Sequence, residues 1–188
     1  MFTHLVVPIA DSPDTAAAVF PAAAMARAFD ATVVVVAHPS GGTDPESIID
    51  QAGTAELAAV RLDVDTELGA ALDRLAPAFA AAAVVCTAAL APSLLESWSG
   101  PLLVFGGGSD PSSYSVGGTI IVDAALHTKG ERELFELGRA FGFDFEPVDD
   151  VTTASGHSGQ VIVPRRRRTA EVIDLIERWP GPVYLLGV

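Results

Sequence analysis

Residues 94–106 read LLESWSGPLLVFG, and residues 175–187 read LIERWPGPVYLLG. Leu94, Glu96, Trp98, Gly100, Pro101 and Gly106 recur as Leu175, Glu177, Trp179, Gly181, Pro182 and Gly187, always 81 positions on. In each copy an amphipathic segment ends at a tryptophan, a Gly-Pro turn follows, and a short apolar run closes the unit. Glycine suits the left-handed position just past a helix, and proline cannot continue one. The apolar run has the length of a buried strand. A helix–turn–strand unit written twice at wide spacing predicts a duplicated domain.

Working outward, the first half reads as alternating strands and helices. Residues 4–9 (HLVVPI) and 32–37 (TVVVVA) are short apolar runs, the second β-branched without polar alternation. Such a run predicts a strand buried on both faces, as in a parallel sheet. Between them DSPD at 11–14 carries helix-start chemistry, and Val19, Ala22, Ala26 and Phe29 make an inner helical face. Pro21 inside that pattern predicts a kink or a later helix start. Further expected elements are a short helix at 44–51, a weaker strand at 56–62, a helix at 65–79, a strand at 83–87, a helix at 92–98 and a strand at 102–105. This βαβαβαβαβ order predicts an α/β fold, a parallel sheet covered on both faces through right-handed crossovers.

Residues 106–118 (GGGSDPSSYSVGG) have the composition of a linker. No helix opens directly after these glycines and no GxGxxG spacing is present, which disfavours a phosphate loop. The pattern then restarts with a strand at 119–123, a helix at 131–141 and a strand at 143–148. Arg27-Ala28-Phe29 returns as Arg139-Ala140-Phe141. A polar loop, 152–159, stands where the first half has a strand and a helix. A strand at 160–164, a helix at 169–179 and a strand at 183–186 complete the chain. The expected organisation is one repeat at 1–105, a linker at 106–118 and a shortened second copy at 119–188.

Composition bounds the function. With 49% hydrophobic and 19% charged residues the 188-residue chain is globular, and a net charge of -13 argues against nucleic acid or anionic membranes as partners. The opening MFTHLVVPIADS lacks the features of a signal peptide. The long uncharged run 75–95 is interrupted by Pro77 and Pro92, which disfavours a membrane span. The single cysteine, Cys86, lies in an apolar run and reads as a packed small hydrophobe. A cytoplasmic location is expected.

In VVPIADS, the Ala-rich helix, VVVVAHP and the closing helix-Gly-Pro-strand of each half, the sequence resembles the universal stress protein family. The resemblance implies a flavodoxin-like (adenine-nucleotide α-hydrolase-like) parallel sheet of order 3-2-1-4-5, followed by a shortened copy. It also implies an intrachain pseudo-dimer or a homodimer. Many members hold ATP between an aspartate ending the first strand and a glycine-rich cradle after the fourth. This chain has Ala10 at the aspartate position, with Asp11 and Ser12 following, and no glycine between 87 and 99. The first crevice is therefore expected to be empty.

In the second half Asp123 ends a strand at the matching place, and Arg165, Arg166, Arg167 and Arg168 lead into a helix from Thr169. A helix start favours anions, and arginine forks suit phosphate or carboxylate. Asp123 with Arg165–Arg168 and Thr169 is thus the expected ligand set, for ATP, AMP or another small anion. The plainer alternative is a solvated basic loop, or ion pairing with Asp149 and Asp150. His38, His127 and His157 are weaker candidates, and Trp98 and Trp179 read as packing anchors. No nucleophile–base pair or metal cluster is legible, so a regulatory or stress-related binding protein without catalysis is expected. The alternatives are a ligand-free interaction module and, third, an enzyme acting on a phosphorylated substrate.

Overall fold

Apolar runs without polar alternation become strands with both faces covered. The computed structural model describes residues 2–10, 13–37, 47–48, 57–61, 68–75, 82–105, 118–124, 138, 142–151, 160–164 and 169–186. In the first half the strands are β1 (His4–Ile9), β2 (Thr32–Ala37), β3 (Leu57–Arg61), β4 (Ala82–Thr87) and β5 (Leu102–Phe105). The second half supplies β6 (Gly118–Asp123), β7 (Phe143–Val148), β8 (Gln160–Pro164) and β9 (Pro182–Leu186). They form one nine-stranded sheet of order β3-β2-β1-β4-β5-β9-β8-β6-β7. Every neighbouring pair is parallel except β5 with β9, which is antiparallel. The class is mixed α/β with a mostly parallel sheet, of the Rossmann or flavodoxin-like kind.

A 3-10 helix (Pro13–Ala18) runs into α1 (Val19–Phe29); the other helices are α2 (Leu68–Leu75), α3 (Ala91–Ser97) and α4 (Thr169–Arg178). Pro21 is the third residue of α1, where a missing N–H breaks no intrahelical bond. The outcome at Pro21 is the later start. Alternate side chains of the strands divide the core. Leu5, Val7, Val33, Val35, Val85 and Leu103 pack with α1 on one face. Val6, Val34, Val84, Val104, Val161 and Val183 pack with Leu72, Leu94, Val172 and Leu175 of α2, α3 and α4 on the other.

The seam between the halves is β5 against β9, with Leu102 opposite Leu185, Leu103 opposite Tyr184, Val104 opposite Val183 and Phe105 opposite Pro182. Leu103 and Tyr184 are the same position of the recurring stretch, 81 residues apart. The seam is therefore symmetric about that one pair, because Leu185 is the counterpart of Val104 and Val183 that of Leu102. α3 and α4, also counterparts, touch beside it. Both helices stop identically: Trp98 N–H donates to Leu94 O at 2.9 Å, and Trp179 N–H to Leu175 O at 2.8 Å. Both tryptophans are buried in the core on the α2–α4 side, as packing anchors. The Trp98 indole donates to Pro101 O at 3.0 Å, which also accepts Val84 N–H at 3.0 Å. Gly100 lies so close under the ring that a Cβ there would sit 2.5 Å from Trp98 Cζ2.

Moving outward from the seam, Val84 pairs with Leu102 and with Val6, while Val161 pairs with Val183 and with Ile121. Val6 and Ile121 are thus counterparts, and so are their neighbours Val34 and Glu146. This matching extends to Ala31 and Phe143, two residues past Phe29 and Phe141 of the Arg-Ala-Phe echo. Among the described residues no strand lies outside β7. Its pairing with β6 is unbroken from Phe143 to Val148, so the donor that Pro147 lacks falls on the outer edge. Asp144 and Glu146 are exposed on the same strand. Proline and charge together blunt an edge against further pairing.

Gly118, expected in the linker, is the first residue of β6, with φ 102°, a conformation that favours glycine. The rest of the linker, 106–117, lies outside the described residues, as does the polar loop 152–159. Of the helices expected at 44–51 and 131–141, only Ser47, Ile48 and Gly138 are described, all helical. Among the described residues no helix is long and apolar enough to cross a membrane.

Candidate functional site

In an open parallel sheet, ligands bind beyond the carboxyl ends of the strands where the strand order reverses. This sheet has two such places, between β1 and β4 and between β6 and β8. At the first, a proline ends the ladder. β1 pairs with β2 without a break from His4 to Ile9, so the N–H that Pro8 lacks is the one that would face β4. The β1–β4 pairing accordingly ends at Val6 opposite Val84. Beyond that point the two strands run on without a shared ladder.

The 3-10 helix packs against both β1 and β4. It is fastened by Thr15, 1% exposed, whose hydroxyl accepts Ala10 N–H and donates to Ala10 O, both at 3.2 Å. Asp11 and Ser12 lie outside the described residues. Thr87 closes β4. Its backbone is fixed, with its carbonyl accepting Leu90 N–H at 3.1 Å and the next amide, Ala88 N–H, donating to Phe105 O at 2.9 Å. Its side chain is 9% exposed, and its Oγ1 has no hydrogen-bond partner. By strand alternation it projects to the face of Val85, where α1 lies. A buried hydroxyl left unpaired costs about 1–3 kcal/mol.

At the second place β6 pairs with β8 from Ile120 to Val122, and Asp123, 3% exposed, follows at the end of β6. The pairing register makes Asp123 the counterpart of Pro8 and not, as the strand-end motif suggested, of Ala10. The motif counts residues from the end of a strand, whereas the ladder fixes depth in the sheet; the two differ by one pleat. By the same register Thr87 is the counterpart of Pro164. Each opening therefore carries one proline and one buried polar side chain, with the strands exchanged and the side chains on opposite faces.

Thr169 is the first residue of α4 and is exposed. Arg165, Arg166, Arg167 and Arg168 lie outside the described residues, as do His38, His127 and His157. Chain connectivity sets the arginines between Pro164, which ends β8, and Thr169. Cys86 is fully buried and takes part in no disulfide. Among the described residues no group of three or more His, Cys, Asp or Glu could hold a metal ion.

Besides the aromatic residues with a polar tip, the buried polar side chains among the described residues are Thr15, Thr87 and Asp123. Thr87 and Asp123 lie at the carboxyl ends of strands flanking a reversal of order, and Thr15 lies in the 3-10 helix that follows β1. Sequence reasoning singled out Asp123 and did not single out Thr87. The available signal was a hydroxyl ending the otherwise apolar run AAVVC.

No protein-family model matches the sequence, and no curated protein matches it at a significant level. The structure is similar to the crystal structure of a functionally unknown protein, PA1789, from Pseudomonas aeruginosa PAO1. The TM-score is 0.66 at 10% sequence identity, covering 99% of this chain and 92% of that one. At that identity the likeness concerns the fold alone.

Proposed function

We propose that this chain is a universal stress protein-like regulatory or stress-related binding protein. Two fused copies pack as an intrachain pseudo-dimer, without catalytic turnover. An adenine nucleotide such as ATP or AMP, or a smaller anion, binds at the second opening. The observation that carries the duplication is the seam register, in which Leu103 faces its own repeat counterpart, Tyr184. The run β3-β2-β1-β4-β5 within the sheet supports reading the first half as the fuller copy.

The ligand side rests on chemistry at the ends of β6 and β8, which are neighbours. Asp123 supplies a hydrogen-bonding carboxylate to the sugar or base end. The amides of the first turn of α4, with Thr169, favour negative charge. Arg165, Arg166, Arg167 and Arg168 precede that turn in sequence and supply forked donors. The stretch 87–99, free of glycine, favours a second reading in which the fold serves as an interaction module with no nucleotide.

Mass spectrometry of small molecules released on denaturing the purified protein separates the two. Calorimetry with ATP, AMP and inorganic phosphate at low and high salt accompanies it. Binding that weakens with salt and is lost in an Arg166→Ala, Arg167→Ala double variant supports the anion site. If nothing co-purifies and none of the three binds at millimolar concentration, the interaction module is the correct account. Steady phosphate release from ATP, abolished in the same variant, would make the protein an enzyme instead.

A further inference from the structure

We infer that the outer stripe of α1 is a docking surface for a second copy of this chain. The copies meet as an antiparallel, two-fold helix pair in which Phe20 of each lies on Arg27 of the other.

Seven of the eleven residues of α1 are buried, with Val19, Ala22, Ala26 and Phe29 packed into the core. Successive helical residues turn by about 100°, so the direction away from the sheet falls on Phe20, Ala24 and Arg27. Burial agrees: Phe20 and Arg27 are exposed and Ala24 is half-buried. The other helices give their exposed positions to charge, with Asp73 and Arg74 on α2, Glu96 on α3, and Glu171, Asp174 and Glu177 on α4. On α1 the outward position holds Phe20, 42% exposed, the exposed large apolar side chain among the described residues. A lone exposed phenylalanine is ordinary. Its relation to Arg27 is what carries the inference.

Phe20 and Arg27 are about 10 Å apart along the axis, too far to meet within one helix. Between them Ala24 adds only a methyl group, which lets a second helix approach to about 8 Å, the short end of the usual range. Two such stripes laid antiparallel about an axis at Ala23 and Ala24 put Phe20 of each copy opposite Arg27 of the other. That reciprocity is what a two-fold interface requires, with residue i on j and j on i. Charge complementarity selects the occupant. Arg27 is the one charged residue of α1, and a guanidinium is attracted to the negative face of a ring. An unrelated partner would have to bring both a ring and a cation at the matching spacing, whereas a second copy brings both. One helix face buries less than about 1,000 Å², so the dimer is weak and reversible. It also stops at two, because a two-fold contact closes.

The test is sedimentation velocity on the full chain from low micromolar to millimolar concentration. Wild type is expected to show a reversible monomer–dimer equilibrium. Arg27→Gln removes both cations and should weaken the dimer roughly five- to thirtyfold. Phe20→Arg sets two arginines against each other at each contact and should be monomeric. Arg27→Phe supplies a ring where that variant lacks one, so an equal mixture of the two should form a heterodimer with both ring–cation contacts restored. Each chain carries a net charge of -13, so added salt screens the mutual repulsion and should tighten the wild-type dimer. A wild type that stays monomeric at millimolar concentration overturns the inference, as does a dimer that Phe20→Arg leaves intact or a mixture that forms no heterodimer. A wild-type dimer that loosens with salt also overturns it, because Arg27 then pairs with a carboxylate and not with the ring.

Discussion

Replacing Gly100 by alanine should destabilise the protein, against the usual direction for glycine. Gly100 does not have a positive φ, so alanine would normally stabilise by about 0.4–1 kcal/mol through the unfolded state. Here the added methyl would lie 2.5 Å from Trp98 Cζ2 and 2.9 Å from Cε2. Carbon atoms pack at about 3.5–4.0 Å, so the ring must retreat by roughly 1 Å. It has little freedom to do so. The ring is 5% exposed, and its N–H is held on Pro101 O, which also receives Val84 N–H at the entry to β4. Retreat therefore breaks the indole bond, worth about 1 kcal/mol, or strains the turn at the typical overpacking cost of about 1–3 kcal/mol. Less the gain through the unfolded state, the expected net loss is about 1 kcal/mol, measured by urea unfolding. At this chain length it corresponds to a fall of about 2–4 °C in the melting midpoint. In a Trp98→Leu background the same alanine should be neutral or stabilising, and the cycle should show a coupling of at least about 1 kcal/mol. A cost below about 0.5 kcal/mol in wild type, or one undiminished in the Trp98→Leu background, would refute the steric account.

Tyr184→Phe removes the hydroxyl that donates to Gln160 Oε1 in the centre of the seam; a loss of about 1 kcal/mol is expected by chemical denaturation, with the m-value unchanged. Pro147→Val restores the missing outward donor on β7, and light scattering should then show association that rises with protein concentration; a variant as monodisperse as wild type counts against the edge being the one Pro147 protects. Asp123→Asn should weaken AMP about tenfold, or about 1.4 kcal/mol, while leaving inorganic phosphate binding unchanged. Equal weakening of both by that variant would place Asp123 at the anion end of the site instead.

Strand positions were legible because the strands are written in residues that suit little else. TVVVVA and LLVF run apolar without alternation, and β2 and β5 occupy the expected residues. The Trp-Gly-Pro unit also gave its geometry away, since a ring, a turn with no side chain and a helix stop recur together. What it could not give is the direction in which the two closing strands meet. Antiparallel pairing of β5 with β9 is a contact between distant residues, and both strands are apolar on both faces in any arrangement. Asp123 stood out in the sequence because a carboxylate ending an apolar strand is conspicuous. Its depth was misjudged by one pleat, because depth depends on the ladder to β8 and not on the strand's own residues. Thr87 was missed because a threonine is an ordinary strand residue; only burial without a partner sets it apart.

The position of the symmetry axis changes what a substitution at the seam can do. Were two identical strands paired about position 103, that residue would face its own copy, and each change there would be felt twice at one point. Two opposed tyrosines on one buried face, their Cβ atoms about 5 Å apart, would crowd each other, and both hydroxyls would need partners. In a single chain the two sides vary independently. One keeps the compact Leu103, while the other carries Tyr184 and, two strand positions away on β8, the Gln160 that receives its proton. Under the proposed duplication, one polypeptide carries both sides of the seam, so an axis that would otherwise double every error tolerates a division of roles.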